Sequence, residues 1–280
     1  MIEIGNLRVT LARAGVYWWD GGAFFGVVPK TLWNPLLPAD EQNRVPAALN
    51  CYVVESGGQR ILIETGCGER HDVKSRERMK LPEGSGRVPV DPGSIDIVVN
   101  SHLHWDHCGG NTVDGSKMVG GPDEVLPAFP KARYFAQRGE WEHAQLRLSR
   151  DGVSYRDVNY ASLIAAGKMT LLDGDASVAP DVEMVVTPGH NRDMCVVLAR
   201  SKGETFCFWS DLIPTAAHVH PTWVAAFDLY PLTTIENKAR LLEQAVRDGW
   251  WCGFAHDPNV AFARIGKDNK GRFTIDEQAS

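Results

Sequence analysis

The chain has no C-x-x-C pair. Its six cysteines, Cys51, Cys67, Cys108, Cys195, Cys207 and Cys252, are scattered, which argues against a thiolate zinc ribbon and against a disulfide framework. No run of about 18 apolar residues occurs, the length a membrane helix needs, so no membrane partner is expected. The N-terminal Met1-Ile2-Glu3-Ile4-Gly5-Asn6 lacks the basic segment and apolar stretch of a secretory leader. Reduced thiols and a cytoplasmic location follow as expectations. Lys and Arg form no dense block and the formal net charge is -6, so the electrostatic footprint of a nucleic-acid binder is missing. Linkers and repeats are missing too. With 280 residues, 44% of them hydrophobic, the chain can bury one large core, and a single domain over residues 1–280 is expected.

What is present is a dense polar segment, Ser101-His102-Leu103-His104-Trp105-Asp106-His107-Cys108-Gly109. Imidazole and carboxylate are the usual ligands of zinc-like cations, and His102, His104, Asp106 and His107 fall within six residues. One His by itself is more often a surface or satisfied core residue. Four such groups together, desolvated without a cation, would leave several polar groups needing partners. The segment is not repetitive, as an exposed tract would be. It follows Ser94-Ile95-Asp96-Ile97-Val98-Val99-Asn100, an apolar, β-branched run that reads as a buried strand ending in a loop.

The same arrangement of a strand ending in a ligand recurs. Leu7 to Trp19 reads as a strand region and Asp20 to Asn43 as a long ordered loop. Ala48–Val54 and Arg60–Glu64 flank a Gly-Gly turn, a hairpin signal. Glu69 to Met79 reads as helical. Met184-Val185-Val186 runs into Thr187-Pro188-Gly189-His190, and Met194–Arg200 with Thr205–Trp209 forms a hairpin ending at Ser210-Asp211. A helix starts at Thr233, where Thr233-Thr234-Ile235-Glu236 fits a capping box, with Ile235, Ala239, Leu242 and Val246 on its apolar face and Gly249 closing it. Trp250–Ala255 is an apolar run ending at His256, and Val260–Ile265 with Arg272–Ile275 closes the chain as a hairpin. His190, Asp211 and His256 thus join the first cluster. Five imidazoles and two carboxylates suffice for two metal ions, with open positions for water and substrate, whereas a structural zinc needs only four ligands.

H-x-H-x-D-H after an apolar strand, a lone His in T-P-G-H, an Asp after a later strand and a His near the C-terminus resemble the metallo-β-lactamase superfamily. The resemblance implies an α/β fold, the four-layer αββα sandwich with metals at one edge of its two sheets. It implies that His102, His104 and His190 hold one metal and Asp106, His107 and His256 a second, with Asp211 bridging. Gly26 to Lys30 and Asp211 to Thr215 look most like the lactonase and phosphotriesterase-related hydrolases of the superfamily. Glu64 stands where relatives carry Asp, and Asn191-Arg192-Asp193-Met194 lacks a supporting His, leaving Met194 as core filler.

The expected activity is dinuclear metal-dependent hydrolysis of a lactone or other carboxylic ester, through a hydroxide bridging two divalent cations. Asp106 would serve as proton carrier, and phosphotriesters would be possible side substrates. Zinc leads the candidate metals; Mn, Fe, Co and Ni share the ligand preference. Two alternatives stay open: a mononuclear-iron sulfur or persulfide dioxygenase using only the first three histidines, and a non-catalytic, metal-stabilised binding protein. Phe24, Phe25, Trp33, Trp223, Phe227 and Tyr230 lie in loops near the ligands and would suit an apolar acyl tail, although for any one of them core packing is the simpler account. His218 and His220 read as exposed loop residues, and His71 and His143 fall outside the site. A homodimer, by resemblance, would use the aromatic segment from Asp20 to Pro38.

Overall fold

The computed structural model describes residues 1–117 and 124–279. The chain enters a first sheet through β1 (Ile2–Ile4), β2 (Leu7–Asp20), β3 (Arg44–Ser56), β4 (Gln59–Ile63) and β5 (Ile97–Val99). After a detached hairpin, β6 (Thr112–Asp114) and β7 (Val125–Pro127), it completes that sheet with β8 (Arg133–Gln137) and β9 (Met169–Leu172). The second sheet takes β10 (Ala176–Ala179), β11 (Val182–Val186), β12 (Cys195–Ser201), β13 (Glu204–Phe208), β14 (Trp251–Gly253), β15 (Phe262–Lys267) and β16 (Phe273–Ala279). Each sheet has seven strands with its own half of the chain in spatial order.

Alternation along the strands creates the layers, because successive side chains point to opposite faces. In β4 and β5, Ile61, Ile63, Ile97 and Val99 meet Val182, Met184, Val197, Phe206 and Phe208 of the second sheet. The residues between them, Leu62 and Val98, face outward with Tyr134, Ala144 and Leu163. On the far side Val196, Leu198, Cys207 and Cys252 pack with Leu241, Leu242 and Ala245. Helices cover the first sheet's half of the chain or the loops at its edge: α1 (Gly21–Phe25), α2 (Lys30–Trp33), α3 (Val73–Met79), α4 (Trp105–Cys108) and α5 (Arg138–Leu146). With α6 (Ala161–Ala165) in the same layer and α7 (Pro231–Asp248) on the second sheet, the order is helix, sheet, sheet, helix: the αββα sandwich. All six cysteines are buried and unpaired, and no helix among the described residues is long and apolar enough to cross a membrane.

Local expectations hold where turn chemistry is strong. Gly57 and Gly58 take φ of 56° and 82° between Ser56 and Gln59, the positive pair that a two-residue hairpin requires. Gly249, at φ 63°, ends α7 and donates its N–H to the Ala245 carbonyl. Other expectations need correction. The segment from Asp20 to Asn43 is not one loop: Asp20 Oδ1 accepts from Ala23 N and caps α1, and α2 follows. The capping box at Thr233 does not form. Pro231, whose fixed φ suits a first helical position, starts α7 two residues earlier, and Thr234 Oγ1 donates instead to Asp228 Oδ2 at 2.8 Å. The inward face of α7 is accordingly Thr234, Lys238, Leu241, Leu242 and Ala245. Lys238 is tolerated there because its Nζ donates to the carbonyls of His220 and Trp223, and burial pushes its pKa down to about 7.

Candidate metal centre

Two parallel strand pairs bring the polar residues to one edge. β4 and β5 run parallel, so Glu64 and Ser101 leave the first sheet at the same end, and Ser101 N donates to Glu64 Oε1 at 3.0 Å. His102 and His104 follow, and α4 carries Asp106 and His107. In the second sheet β13 and β14 run parallel, which places Asp211 and His256 together, with His190 beyond the end of β11. The short helix α4 is seated by backbone contact. A Cβ at Gly109 would lie 2.2 Å from the Cys67 carbonyl oxygen, and one at Gly110 would lie 2.1 Å from that of Thr65. Replacing Gly110 by Ala should therefore cost about 1–3 kcal/mol, the usual range for forced overpacking, read as a lower denaturant midpoint at unchanged slope.

Outer hydrogen bonds fix which nitrogen faces inward in two of the rings. His190 Nδ1 donates to Asp228 Oδ1 at 3.0 Å and His256 Nδ1 donates to the Ala48 carbonyl at 2.8 Å. Their Nε2 atoms therefore present lone pairs to the centre. There His190 Nε2 lies 3.0 Å from His104 Nδ1, and His256 Nε2 lies 3.2 Å from His107 Nε2. Such pairs suit a shared cation, since two ligands at ~2.0–2.1 Å in tetrahedral geometry sit about 3.3 Å apart. Asp211 faces both groups: Oδ1 is 3.1 Å from His256 Nε2 and 3.3 Å from His107 Nε2, while Oδ2 is 3.4 Å from His190 Nε2 and 3.9 Å from His102 Nε2. His102 Nε2 and Asp211 Oδ1 are buried without a hydrogen-bond partner. The donor set therefore fits divalent cations, and three groupings could hold one: His102–His104–His190, His102–His107–Asp211 and Asp106–His107–His256.

Electrostatics keep two of the rings in their ligating form, while against burial the Asp211 carboxylate raises the pKa values of His107 and His190. Burial, reinforced by neighbouring imidazoles, pushes the pKa values of His102 and His104 well down, so both stay neutral. His102 Nδ1 contacts Ser101 Oγ, which in turn meets Ser210 Oγ at 2.6 Å. Glu64 sits beneath His107, with Oε1 3.7 Å from Nδ1, the supporting place the sequence departure pointed to. Tyr17, on β2, donates its hydroxyl to Asp106 Oδ2 at 2.8 Å. Burial and the Asp106 charge hold the Tyr17 pKa well up, so the phenol remains a donor.

All seven expected residues thus converge at one edge, where His104, Asp106, His190, Asp211 and His256 line a cleft of about 630 Å³ including its open mouth. Its walls are Tyr17, Trp19, Trp105, Phe227 and the loop from Arg150 to Ser154. Of the aromatics expected to line the substrate pocket, only Phe227 lines this cleft. Phe24, Phe25 and Trp33 are core, driven inward by α1 and α2, and Phe25 stacks on Trp33 at 4.7 Å. Trp223 packs edge-on to Phe25, and Tyr230 is exposed at the start of α7. Sequence reasoning missed Tyr17 and Trp19, which lie almost 90 residues from the motif, and Asp151 and Asp228, which carry no motif at all. Trp105 was within reach, being inside H-x-H-x-D-H.

His218 is also corrected: it is fully buried, not an exposed loop residue. Its ring stacks on Phe25 at 4.6 Å, Nε2 donates to the Phe24 carbonyl, and Nδ1 accepts from Thr215 Oγ1. Burial, aided by Lys238, pushes its pKa down to about 3. Between pH ~6.5 and ~3 the unfolded chain binds a proton that the folded chain refuses. Stability from this group is therefore complete above pH ~6.5 and lost as pH falls through ~3, on the order of 5 kcal/mol in all. Denaturant titrations across that window should show a shallower acid slope in His218→Gln than in the parent chain.

The metallo-beta-lactamase superfamily profile matches residues 45–257. An N-acyl homoserine lactonase of Bacillus cereus is 27% identical over 158 residues, spanning 50% of this chain and 54% of the relative. The lactonase AiiB of Rhizobium rhizogenes is 27% identical over 128 residues, spanning 40% and 45%. The chain thus spans about half the length of the curated relatives it matches. A probable metal-dependent hydrolase from Staphylococcus aureus superposes with a TM-score of 0.87 at 25% identity, covering 100% of both chains. AidC, a dizinc quorum-quenching lactonase solved with a homoserine product, superposes at 0.77 and 18% identity over 100% of this chain and 97% of its own, which speaks to the fold. The matched span contains His102, His104, Asp106, His107, His190, Asp211 and His256, and the chain belongs to the metallo-β-lactamase superfamily.

Proposed function

We propose that this chain is a metal-dependent hydrolase of lactones and related carboxylic esters, built as one domain around two divalent cations, zinc foremost. The observation that carries the reading is Asp211, whose two oxygens face two separate groups of imidazoles. His102, His104 and His190 would hold one cation, Asp106, His107 and His256 the other, and Asp211 would join both. Bound there, such cations supply a water that loses its proton near neutral pH and polarise the scissile carbonyl.

The chain's own residues supply the rest. Trp19, Trp105 and Phe227 give the cleft an apolar wall for an acyl group. Asp106, held by Tyr17 and slightly exposed to the cleft, carries a proton from the attacking water to the leaving alkoxide. A phosphotriester, with a similarly polarised P=O, is a side substrate on this reading. The lactonase relatives and the product-bound fold neighbours support the lactone class. The second ligand group around Asp106, His107 and His256 favours hydrolysis over a mononuclear-iron dioxygenase, which has no use for it.

Metal analysis of the purified chain, coupled to a panel of homoserine lactones, aryl esters, phosphotriesters, β-lactams and glutathione thioesters, tests the proposal. Two metals per chain with lactone preference is the expected result; one iron with persulfide oxidation overturns it. Val27, Leu32 and Leu36 are exposed along the segment from Asp20 to Pro38, which suits a homodimer contact; a monomer by light scattering at micromolar concentration removes that contact.

A further inference from the structure

One wall of the cleft carries a carboxylate that hydrolysis, as proposed, leaves unused. Asp151 lies on the loop after α5 and lines the cleft beside Arg150 and Ser154, yet it is only 7% exposed. Its Oδ2 accepts a 2.7 Å hydrogen bond from His143 Nε2 of α5. Its Oδ1 is buried and has no hydrogen-bond partner among the described residues. A clamp between loop and helix accounts for Oδ2 alone. Leaving a buried acceptor unpaired costs about 1–3 kcal/mol, and more for a charged one. A buried oxygen left without a donor, on a residue that lines the cleft, is matched by a donor that arrives with the ligand. The loop is tied in place for such contact: Arg150 Nη2 donates to the Ala226 carbonyl, next to Phe227 of the same cleft.

We propose that Asp151 is a specificity-determining residue whose Oδ1 accepts a hydrogen bond from an N–H or O–H donor beside the scissile carbonyl of the substrate. His143 is the positioning residue that orients the carboxylate. The role rests on the hydrolase reading, and it selects among esters by what stands next to the reacting group.

The test uses a matched pair of γ-butyrolactones, one bearing an α-acylamino group and the other an α-acyloxy group of equal length, so that a single N–H becomes O. The metal-loaded chain should prefer the amide by about 10- to 100-fold in kcat/KM, the range of a hydrogen bond to a charged group. In Asp151→Asn the side-chain oxygen can still serve His143, and the amide NH2 then faces the cleft. The ratio should fall to about one or invert. His143→Gln, which keeps a donor for Oδ2, should retain the amide preference. An unchanged ratio in Asp151→Asn overturns the proposal, as does equal hydrolysis of both lactones by the parent chain; the latter decides the matter even if the variant fails to fold. Hydrolysis of neither lactone by the metal-loaded parent chain rejects the hydrolase reading itself.

Discussion

Replacing Asp211 by Asn should leave a folded chain that holds fewer metal ions and hydrolyses lactones at least about 100-fold more slowly, beyond the 10–100-fold typical of losing a mere outer partner of a ligand. The carboxylate contributes one oxygen to each group of imidazoles, with Oδ1 at 3.1 Å from His256 Nε2 and Oδ2 at 3.4 Å from His190 Nε2. An amide of the same shape has one oxygen and one NH2. The NH2 can donate to an imidazole lone pair, which satisfies the metal-free protein, but it cannot ligate. One group of imidazoles therefore loses its anionic partner while the fold keeps its hydrogen bonding. Metal content by elemental analysis and kcat/KM on a homoserine lactone read both effects. Unchanged turnover with two metals per chain would sink the bridging role.

Chelation should destabilise the whole chain, not only silence it. Without cations, His190 Nε2 and His104 Nδ1 face one another at 3.0 Å, and His256 Nε2 and His107 Nε2 at 3.2 Å. His190 and His256 each hold the ring proton on the outward Nδ1, which donates to Asp228 and to the Ala48 carbonyl, so their inward nitrogens offer only lone pairs. A ligand that binds only the folded state at a thousandfold above its Kd adds about 4 kcal/mol. In a chain of this size each kcal/mol is worth roughly 2–4 °C, so stripping the metals should lower Tm by roughly 10 °C. Readdition of zinc should restore it. In Asp211→Asn the same treatment should produce a smaller fall, because part of the binding is already gone. Equal Tm with and without chelator would show that the site contributes nothing to stability.

The fold and the floor of the site were legible because both rest on short-range chemistry. Val98 between Ile97 and Val99 marks a strand buried on both faces, and the residues that follow it are spaced for ligation; no distant part of the chain is needed to see either. Gly57-Gly58 fixes a hairpin by backbone freedom alone. The walls were not legible, because they come from residues whose meaning depends on where other segments go. Tyr17 is an ordinary inward-facing strand residue until β2 passes Asp106. Phe24 and Phe25 read as loop aromatics until Asp20 caps a helix that turns them into the core. Thr233 offered a local cap, but Pro231 starts the helix two residues earlier, and Thr234 beside it donates to Asp228, which in turn accepts from His190. In that last case one local rule, proline at the first helical position, overrode another.

The division of the chain between its sheets has one more consequence. His102, His104, Asp106 and His107 hang from the first sheet, His190, Asp211 and His256 from the second, so neither half can assemble the set alone. A cation held by both would act as a cross-link between segments 86 to 149 residues apart. Closing chain loops that long before folding costs several kcal/mol of entropy, which the native sandwich has already met. A cofactor bound by both halves would thus work as a hasp on the open edge of the sandwich, closing only on two halves that have docked in register.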